Sequence, residues 1–470
     1  MSELLSIANK IHEQDGICLI VGGSVRDEYF GVKSKDLDIE VYGLAHEKLV
    51  NILQGFGKVS VVGESFGVTK LTTNHDEYDF SLPRKDNKVA KGHKGFIVET
   101  DCDLSPQAAA ARRDYTINSM GKNLLSGQIH DYYNGHNDLV NRLLRATSEQ
   151  FVEDPLRVLR GFQFAGRFDM QIEENTAMMA WSVFDSYDEL PKERVFSEFY
   201  KWAEKSTKPS AGLQFLLDCG WISLFPELSA LIDVEQDFEY HPEGNVWDHT
   251  LHVCDAMVEI LNRENVCGED RVVLVLAALC HDLGKAVSSE KVNGRWRSPG
   301  HAQTGVPISE QFLNSIGCFP SIVERVLPLV AEHMVHVGLK NPSANVVKRL
   351  SLRLKKAKIN ELMWIIEADH SGRPPLPKGL PEVAGKIQEI AKKLKLETGK
   401  PTPLVQGRYL IEMGMKPGPI FGRILSSLFE DQINDYFDTL EGGLDRARAL
   451  SQAFNPDKNP DILSGSEKTA

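Results

Sequence analysis

Residues Ile17 to Glu40 read ICLIVGGSVRDEYFGVKSKDLDIE, and this stretch decides the fold of the first third of the chain. Ile17–Val21 is a short apolar run of strand type, ended by Gly22-Gly23. A short amphipathic segment follows, then a second strand-type run from Asp36 to Val41. On a strand, residues i and i+2 share a face, so Asp36 and Asp38 are expected to point the same way. Two carboxylates on one face repel unless a cation lies between them. An all-oxygen ligand set suits Mg²⁺ completed by water and substrate phosphates. The glycines bring bare N–H groups to a strand-to-helix turn, where a phosphate can be cradled. Either half alone also fits a tight turn or a solvated edge strand. The two together read as a site for a nucleoside triphosphate and a metal.

Outward from this stretch, residues 1–145 alternate strand-type runs with helical patterns. Further strands are expected at Lys58–Val62, Val68–Thr72 and Glu77–Ser81, which makes a small α/β or α+β unit. Asp79 fits either a third carboxylate or the outward residue of a half-buried strand, and spacing does not choose. Residues 84–101 are polar and contain glycine, the pattern of a mobile loop. Ala108–Met120 opens as a helix, on which Arg112 and Arg113 suit phosphates and Asp114 and Asn118 form an i, i+4 pair.

From Val152 the pattern is helical. In Glu153–Phe168, Leu156, Leu159, Phe162, Ala165 and Phe168 mark a buried stripe, and Glu153, Asp154, Arg157 and Arg160 fall off it. Asp154-Pro155 suits a helix start. A carboxylate beside a guanidinium also matches the hydrogen-bonding edge of a base. The spacing leaves both readings open. A third region opens at His241-Pro242. His249, His281-Asp282, His301, His333 and Asp369 lie on or beside successive helices, and His and Asp converging from several helices make a mixed N/O metal site. Four prolines in Pro374–Pro381 mark a boundary, a helical tail follows, and the last residues, 456–470, are expected to be disordered.

Composition is that of a soluble globular protein of several domains: 470 residues, 42% hydrophobic and 25% charged. The net charge of -13 excludes a protein that coats nucleic acid indiscriminately, though Lys348–Lys358 and Lys386–Lys395 are local basic clusters. Seven scattered cysteines without a CxxC pair fit free thiols in a reducing cytoplasm. The N-terminus MSELLSIANK lacks the pattern of a signal peptide, and the longest apolar run, Val272–Cys280, is too short to span a bilayer.

At this point the chain resembles the class II tRNA nucleotidyltransferases, the CCA-adding enzymes, in the bacterial form that carries an HD domain. The resemblance rests on GGSVRD with DLD, RRDYTIN (Arg112–Asn118), DYYNGHNDLVNRLLR (Asp131–Arg145), EDPLR and the histidine–aspartate series. It implies an α+β chain: a polymerase-β-like nucleotidyltransferase head (1–145), then an all-α neck (146–235), HD domain (236–372) and tail (373–455). It implies Mg²⁺ on Asp36 and Asp38, with Asp79 where the family often has Glu. Gly22, Gly23, Ser24 and Arg26 would hold the triphosphate, together with Arg112, Arg113, Asp114 and Asn118, and Asp114 would contact the ribose 2′-hydroxyl. Glu153, Asp154 and Arg157, with Arg160 beside them, would select CTP or ATP. His249, His281, Asp282 and Asp369 would hold Mg²⁺ or a transition metal for phosphoester hydrolysis, with His301 and His333 serving a second ion. The implied partner is tRNA and the implied location cytoplasmic. Relatives that add only CC, only A or a poly(A) tail share these motifs, and the polar stretch 84–101 speaks against the CC-adding ones. An HD phosphohydrolase with a nucleotide-sensing head, and a non-catalytic RNA-binding protein, are the readings from other classes. Intact Asp36 and Asp38 oppose the first, and two sets of metal-type ligands oppose the second.

Overall fold

The computed structural model of the chain describes residues 2–31, 37–62, 68–74, 76–88 and 96–453. The head is built on a seven-stranded sheet. Its strands are β1 (Ile17–Val21), β2 (Asp38–Tyr42), β3 (Lys58–Val62), β4 (Val68–Thr72), β5 (Glu77–Ser81), β8 (Gly121–Asn123) and β9 (Ile129–His130). The order across the sheet is β3-β4-β5-β2-β1-β8-β9. All pairings are antiparallel except β2 with β5, which places Asp79 opposite Asp38. The β1–β2 register sets Val21 against Asp38, so the glycine turn leaves the sheet beside that carboxylate.

Strand periodicity accounts for the packing. Ile39 and Val41 face one side, where the helices Ser2–His12 and His46–Gln54 cover them in a core with Leu4, Leu49 and Phe80. Glu40 alternates to the other side and is buried against Arg112 and Arg113. The expected strand from Asp36 begins two residues later, at Asp38. Asp36 itself lies outside the described residues.

Two expectations are corrected. Within 84–101, where a loop is expected, Arg84–Lys88 and Phe96–Thr100 pair as the antiparallel strands β6 and β7, and residues 89–95 lie outside the described residues. The helix expected over Ala108–Met120 is broken into Pro106–Ala111 and Thr116–Ser119. Tyr115 causes the break: it is fully buried between Phe151 and Phe164 and donates its hydroxyl to the Arg157 carbonyl at 2.9 Å. Asp114 therefore sits between two helices, not on one.

Beyond the sheet the chain is helical. A continuous apolar core runs from Val25 and Tyr115 through the neck helices Leu156–Phe168, Lys192–Lys205 and Pro209–Asp218 to Leu396. The EDPLR stretch splits: Glu149–Glu153 is a 3₁₀ turn and the α-helix starts at Leu156. The helix Gly268–Cys280 is buried all round from Arg271 onward, which explains its unbroken apolar run. The C-terminal tail helices have a separate core around Leu410, Ile424 and Leu428. The basic stretch Lys348–Lys358 is largely neutralised: Lys348 pairs with Asp435, Arg349 with Glu430 at 2.8 Å and Arg353 with Glu332 at 2.7 Å. Residues 456–470 lie outside the described residues. No helix among the described residues is long and apolar enough to cross a membrane.

Candidate active sites in the head and the helical region

A cavity of about 510 Å³ lies where the glycine turn meets the helix Leu156–Phe168. Gly22 has φ of 75°, a conformation natural to glycine, and precedes the helix Gly23–Tyr29. A Cβ on Gly22 would lie 3.4 Å from Arg113 Nη1. Gly22, Gly23, Arg26, Asp38, Arg113, Asp114, Asn118, Asp154, Arg157 and Arg160 line the cavity; Ser24, Asp79, Arg112 and Glu153 do not. Eight basic side chains face three carboxylates there, a balance that attracts a polyanion.

The basic side chains are not equivalent. Arg26 is buried, with guanidinium hydrogen bonds to Asp27 at 2.7 and 2.9 Å and a further one to Asn118. It lies over the Phe168 ring at 4.6 Å, so it braces the turn as much as it faces the cavity. Arg112 and Arg113 hold Glu40, each at 3.1 Å. Burial favours the neutral acid, but the two guanidinium charges win and hold Glu40 below the usual carboxylate range. Asp114 is a junction. Its Oδ1 accepts from the Tyr115 N–H at 2.7 Å and from Asn118 at 2.9 Å, and its Oδ2 accepts from Arg160 at 2.6 Å. Burial again opposes ionisation, and the Arg160 charge overcomes it, lowering the Asp114 pKa.

In the EDPLR stretch, Asp154 Oδ1 accepts from the Leu156 N–H at 3.1 Å and its Oδ2 lies 3.6 Å from Arg194. Arg157 donates to the carbonyls of Gln150 at 2.6 Å and Arg112 at 2.5 Å, which fixes its plane across the head–neck joint. Six cavity residues were not singled out from sequence: Gln163, Phe164, Arg167, Arg194, Lys201 and Lys205. Gln163 is 3% exposed and its Oε1 has no hydrogen-bond partner. Its only signal is its place one turn beyond Arg160. Asp79 Oδ1 is likewise buried without a hydrogen bond, with Lys70 Nζ 3.9 Å away.

The second centre is buried in the helical region. His249 comes from the helix Val246–Arg263, His281-Asp282 from the end of Gly268–Cys280, and Asp369 from Ile359–Ser371. His301 starts the helix His301–Ser315, and His333 follows Pro320–Glu332. Two groups have metal-ligand spacing: His249, His281 and Asp369, and Asp282, His301 and His333. Asp282 spans them. Its Oδ2 is 3.2 Å from His281 Nε2 and 3.7 Å from His249 Nε2; its Oδ1 is 3.3 Å from His301 Nε2 and 3.8 Å from His333 Nε2.

The rings are aimed by their other nitrogens. The Nδ1 atoms of His281, His301 and His333 bond the carbonyls of Ala278, Ser298 and Val330 at 2.7–2.8 Å, leaving Nε2 as the inward lone pair. His249 Nδ1 meets Glu243 at 2.8 Å. Burial, aided by the His281 charge, takes His333 down to about 3, so its ring is neutral and its Nε2 could serve a metal. Burial also opposes charge on His249, but Asp369 and Glu243 raise it to about 9. Asp282 is held well below the carboxylate range: burial opposes its ionisation, and His281 and Lys285 outweigh it. Apart from their contact with each other and that of Asp282 Oδ2 with Lys285, His281 Nε2 and Asp282 Oδ2 are buried without hydrogen-bond partners, which suits atoms able to ligate a cation. Sequence reasoning missed His241 and Glu243, a third such group with His249. Their signal was the HPE triplet just before the first helix of the region. It also missed Lys285, whose Nζ lies 2.6 Å from Asp282 Oδ2.

Comparison with known proteins agrees with this division. A family model described as the Poly A polymerase head domain matches residues 18–145, and one described as the HD domain matches 246–374. The Multifunctional CCA protein of Janthinobacterium sp. (strain Marseille) is 32% identical over 401 residues, 83% of this chain and 91% of that protein. That of Laribacter hongkongensis is 34% identical over 363 residues, 76% and 85% of the two. Among solved structures, the Bacillus stearothermophilus CCA-adding enzyme in complex with CTP superposes with a TM-score of 0.65 at 17% identity, covering 96% of this chain and 98% of that one. The Thermotoga maritima CCA-adding enzyme complexed with tRNA gives 0.59 at 20% identity, covering 94% of each.

Proposed function

Because the chain belongs to the bacterial CCA-adding enzymes that carry an HD domain, we propose that it builds the 3′-terminal CCA of tRNA from CTP and ATP without a nucleic-acid template. The observation that carries this reading is one cavity that joins Gly22-Gly23 and Asp38 of the head to Asp154, Arg157 and Arg160 of the neck. The first set suits a triphosphate and metal, the second the edge of a base. The 3′-hydroxyl of the tRNA attacks the α-phosphate in line and pyrophosphate leaves. Asp36 and Asp38, with Asp79 alongside, would hold Mg²⁺, which would supply the charge that lowers the hydroxyl's pKa and neutralises the leaving group. The backbone N–H groups of the glycine turn and the cavity's cations hold the triphosphate, so positioning and charge neutralisation carry most of the rate. Arg157 keeps donors beyond the two it spends on carbonyls, and Asp154 Oδ2 remains an acceptor, so the pair can read a base edge. Asp114 keeps one lone pair on Oδ2 for a ribose 2′-hydroxyl. The test is a tRNA ending before CCA, incubated with Mg²⁺ and labelled CTP and ATP. Full CCA is expected with the parent chain and none with Asp38→Ala; incorporation unchanged in that variant overturns the reading, and CC or A alone reassigns the chain to a partial-addition relative.

We propose further that the HD cluster hydrolyses phosphoesters, 2′,3′-cyclic or 2′-phosphates at RNA ends among them. Divalent ions held by the two groups that share Asp282 would activate water and polarise the phosphorus. Hydrolysis of 2′,3′-cyclic AMP is expected to vanish in His281→Ala and Asp282→Ala; persistence in both would remove the assignment.

A further inference from the structure

The groups assigned to the incoming nucleotide leave Gln163 without a partner. This side chain is 3% exposed and lines the cavity between head and neck. Its Oε1 is buried without a hydrogen-bond partner, and its Nε2 has none among the described residues. A buried polar group left unpaired costs about 1–3 kcal/mol, so an unmatched amide in a cavity wall points to a ligand that completes it.

Helical periodicity divides the cavity into two sides. On the helix Leu156–Phe168, Arg157 and Phe164 fall on one edge of the lining arc, and Leu156 and Gln163 on the other. The first edge faces the head: Arg157 donates to the Arg112 carbonyl at 2.5 Å, and the Phe164 and Tyr115 rings meet edge to face with centroids 6.0 Å apart. The second edge turns toward the helix Lys192–Lys205, whose Trp202 stacks on Phe162 at 5.2 Å and fills the space that a Cβ on Gly166 would take. Arg194, Lys201 and Lys205 form one stripe of that helix and line the cavity. Arg194 lies 3.6 Å from Asp154, and Lys201 is held by Glu198 at 2.7 Å. Lys205 is exposed and has no ion-pair or hydrogen-bond partner among the described residues. At a rise of about 1.5 Å per residue, Gln163 stands about 9 Å farther along its helix than Arg157, more than the width of one base edge.

A base edge presents a donor beside an acceptor, and so does an amide. The base of the incoming nucleotide is assigned to Asp154 and Arg157, on the head side and at the other end of the arc. We propose that the neck side of the cavity receives the last nucleotide of the RNA strand being extended: Gln163 hydrogen-bonds the edge of its base, and Lys205 takes the phosphodiester before it. The inference rests on the CCA-adding reading and adds a residue that senses the strand's end. The residue type fits the task. The terminal base changes as the strand grows, and an amide that no protein group holds in one orientation can turn over to meet either order of donor and acceptor. A carboxylate offers acceptors alone and a guanidinium donors alone, so each would admit only part of the range.

The experiment measures binding of two tRNAs labelled at the 5′ end, followed by fluorescence anisotropy without added nucleotide. One ends in CC; the other is the same RNA with an abasic last nucleotide. Gln163→Leu and Gln163→Met, which remove the amide and keep the bulk, should each raise Kd for the first RNA roughly 2- to 10-fold. Both should bind the abasic RNA as the parent does. Calorimetric titration with CTP should give the parent's Kd in both variants, which also reports that they fold. Lys205→Ala should weaken the two RNAs alike and lower the slope of log Kd against log salt by about 0.7. Parent-like affinity of both Gln163 variants for the RNA ending in CC, an equal loss on the abasic RNA, or a matching loss of CTP affinity overturns the role of Gln163, and an unchanged salt slope removes Lys205. If the parent chain adds no nucleotide to the RNA ending in CC, the CCA-adding reading falls, and the anisotropy titrations decide the role of Gln163 by themselves.

Discussion

Asp114→Asn tests how the head and the base-selecting helix communicate. The substitution keeps the side chain's shape, removes its charge, and sets an amide N–H₂ against either the Arg160 donor or the Asn118 donor. The bond to Arg160 is 2.6 Å long, and Asp114 is 7% exposed while the Arg160 side chain is 37% exposed. A hydrogen bond between charged groups contributes about 1.5–3 kcal/mol net. Water reaches Arg160 and recovers part of this, which leaves about 1–2 kcal/mol. Read out as CTP affinity, that is roughly a 5- to 30-fold rise in Kd. Calorimetric titration with CTP should be run on the parent, Asp114→Asn, Arg160→Ala and the double variant. If Asp114 acts by holding Arg160, the double variant binds dCTP, which lacks the 2′-hydroxyl, no more weakly than Arg160→Ala alone does. Losses that add within roughly 0.5 kcal/mol would refute the coupling. The same titrations with dCTP isolate the ribose contact: the parent's preference for CTP over dCTP should shrink in Asp114→Asn, and an unchanged preference removes the 2′-hydroxyl role.

Because Asp282 faces both histidine groups, Asp282→Ala should lose both metal ions by elemental analysis while His333→Ala loses one; equal stoichiometry in the two variants contradicts the shared ligand. Glu243→Ala, which frees the His249 ring, should weaken metal binding about 10- to 100-fold without removing a direct ligand in either group of the cluster core. Glu40 has its folded pKa depressed by Arg113 and Arg112 against the pull of burial. Its contribution is therefore complete above the unfolded carboxylate value, about 4.3, and lost as pH falls through the folded value. Glu40→Gln should cost about 3 kcal/mol at pH 7 and flatten the acid limb, measured as the urea midpoint for loss of CTP binding at pH 7 and pH 3.5; equal pH slopes in parent and variant contradict it. Gly161→Ala places a Cβ 2.0 Å from the Tyr115 hydroxyl and should cost about 1–3 kcal/mol by overpacking, with selection of CTP over UTP relaxed in the incorporation assay.

The five strands of the head's main sheet that lie before residue 82 were legible because each is a short β-type run closed by Gly, Asn or Pro, and period-2 burial follows from the pattern alone. The strands of 84–101 were not: polar residues there say nothing of pairing, and the backbone ladder is what holds them. The helix over Ala108–Met120 failed for a different reason. Its propensity is good, but a buried Tyr115 anchored to the Arg157 carbonyl fixes a non-helical joint, and tertiary packing overrides local preference. That the histidines and aspartates of the helical region converge was legible from their order along successive helices. Glu243 and Lys285 were not, because each acts by touching a ligand, a relation that exists only in three dimensions.

That same joint bears on the proposed base selection, which would draw on both sides of the cavity at once. The Tyr115 hydroxyl ends on the Arg157 carbonyl, and Arg157 in turn donates to the Arg112 carbonyl. Arg160, one turn on, is held by Asp114. Arg157 and Arg160, two of the side chains proposed to read the base, are thus tied to the segment Arg112–Tyr115 of the head, not only to their own helix. Gly161 leaves the space in which Tyr115 sits, since any Cβ there would meet its hydroxyl. The apolar core continues through this contact into the neck, so the helix Leu156–Phe168 cannot rotate without dragging the residues that flank the triphosphate. Positioning of the base edge and positioning of the α-phosphate are therefore one mechanical variable. On the proposed roles, a base that fits poorly against Arg157 and Asp154 would displace the phosphate it carries, and selection would act on the rate of transfer as well as on affinity.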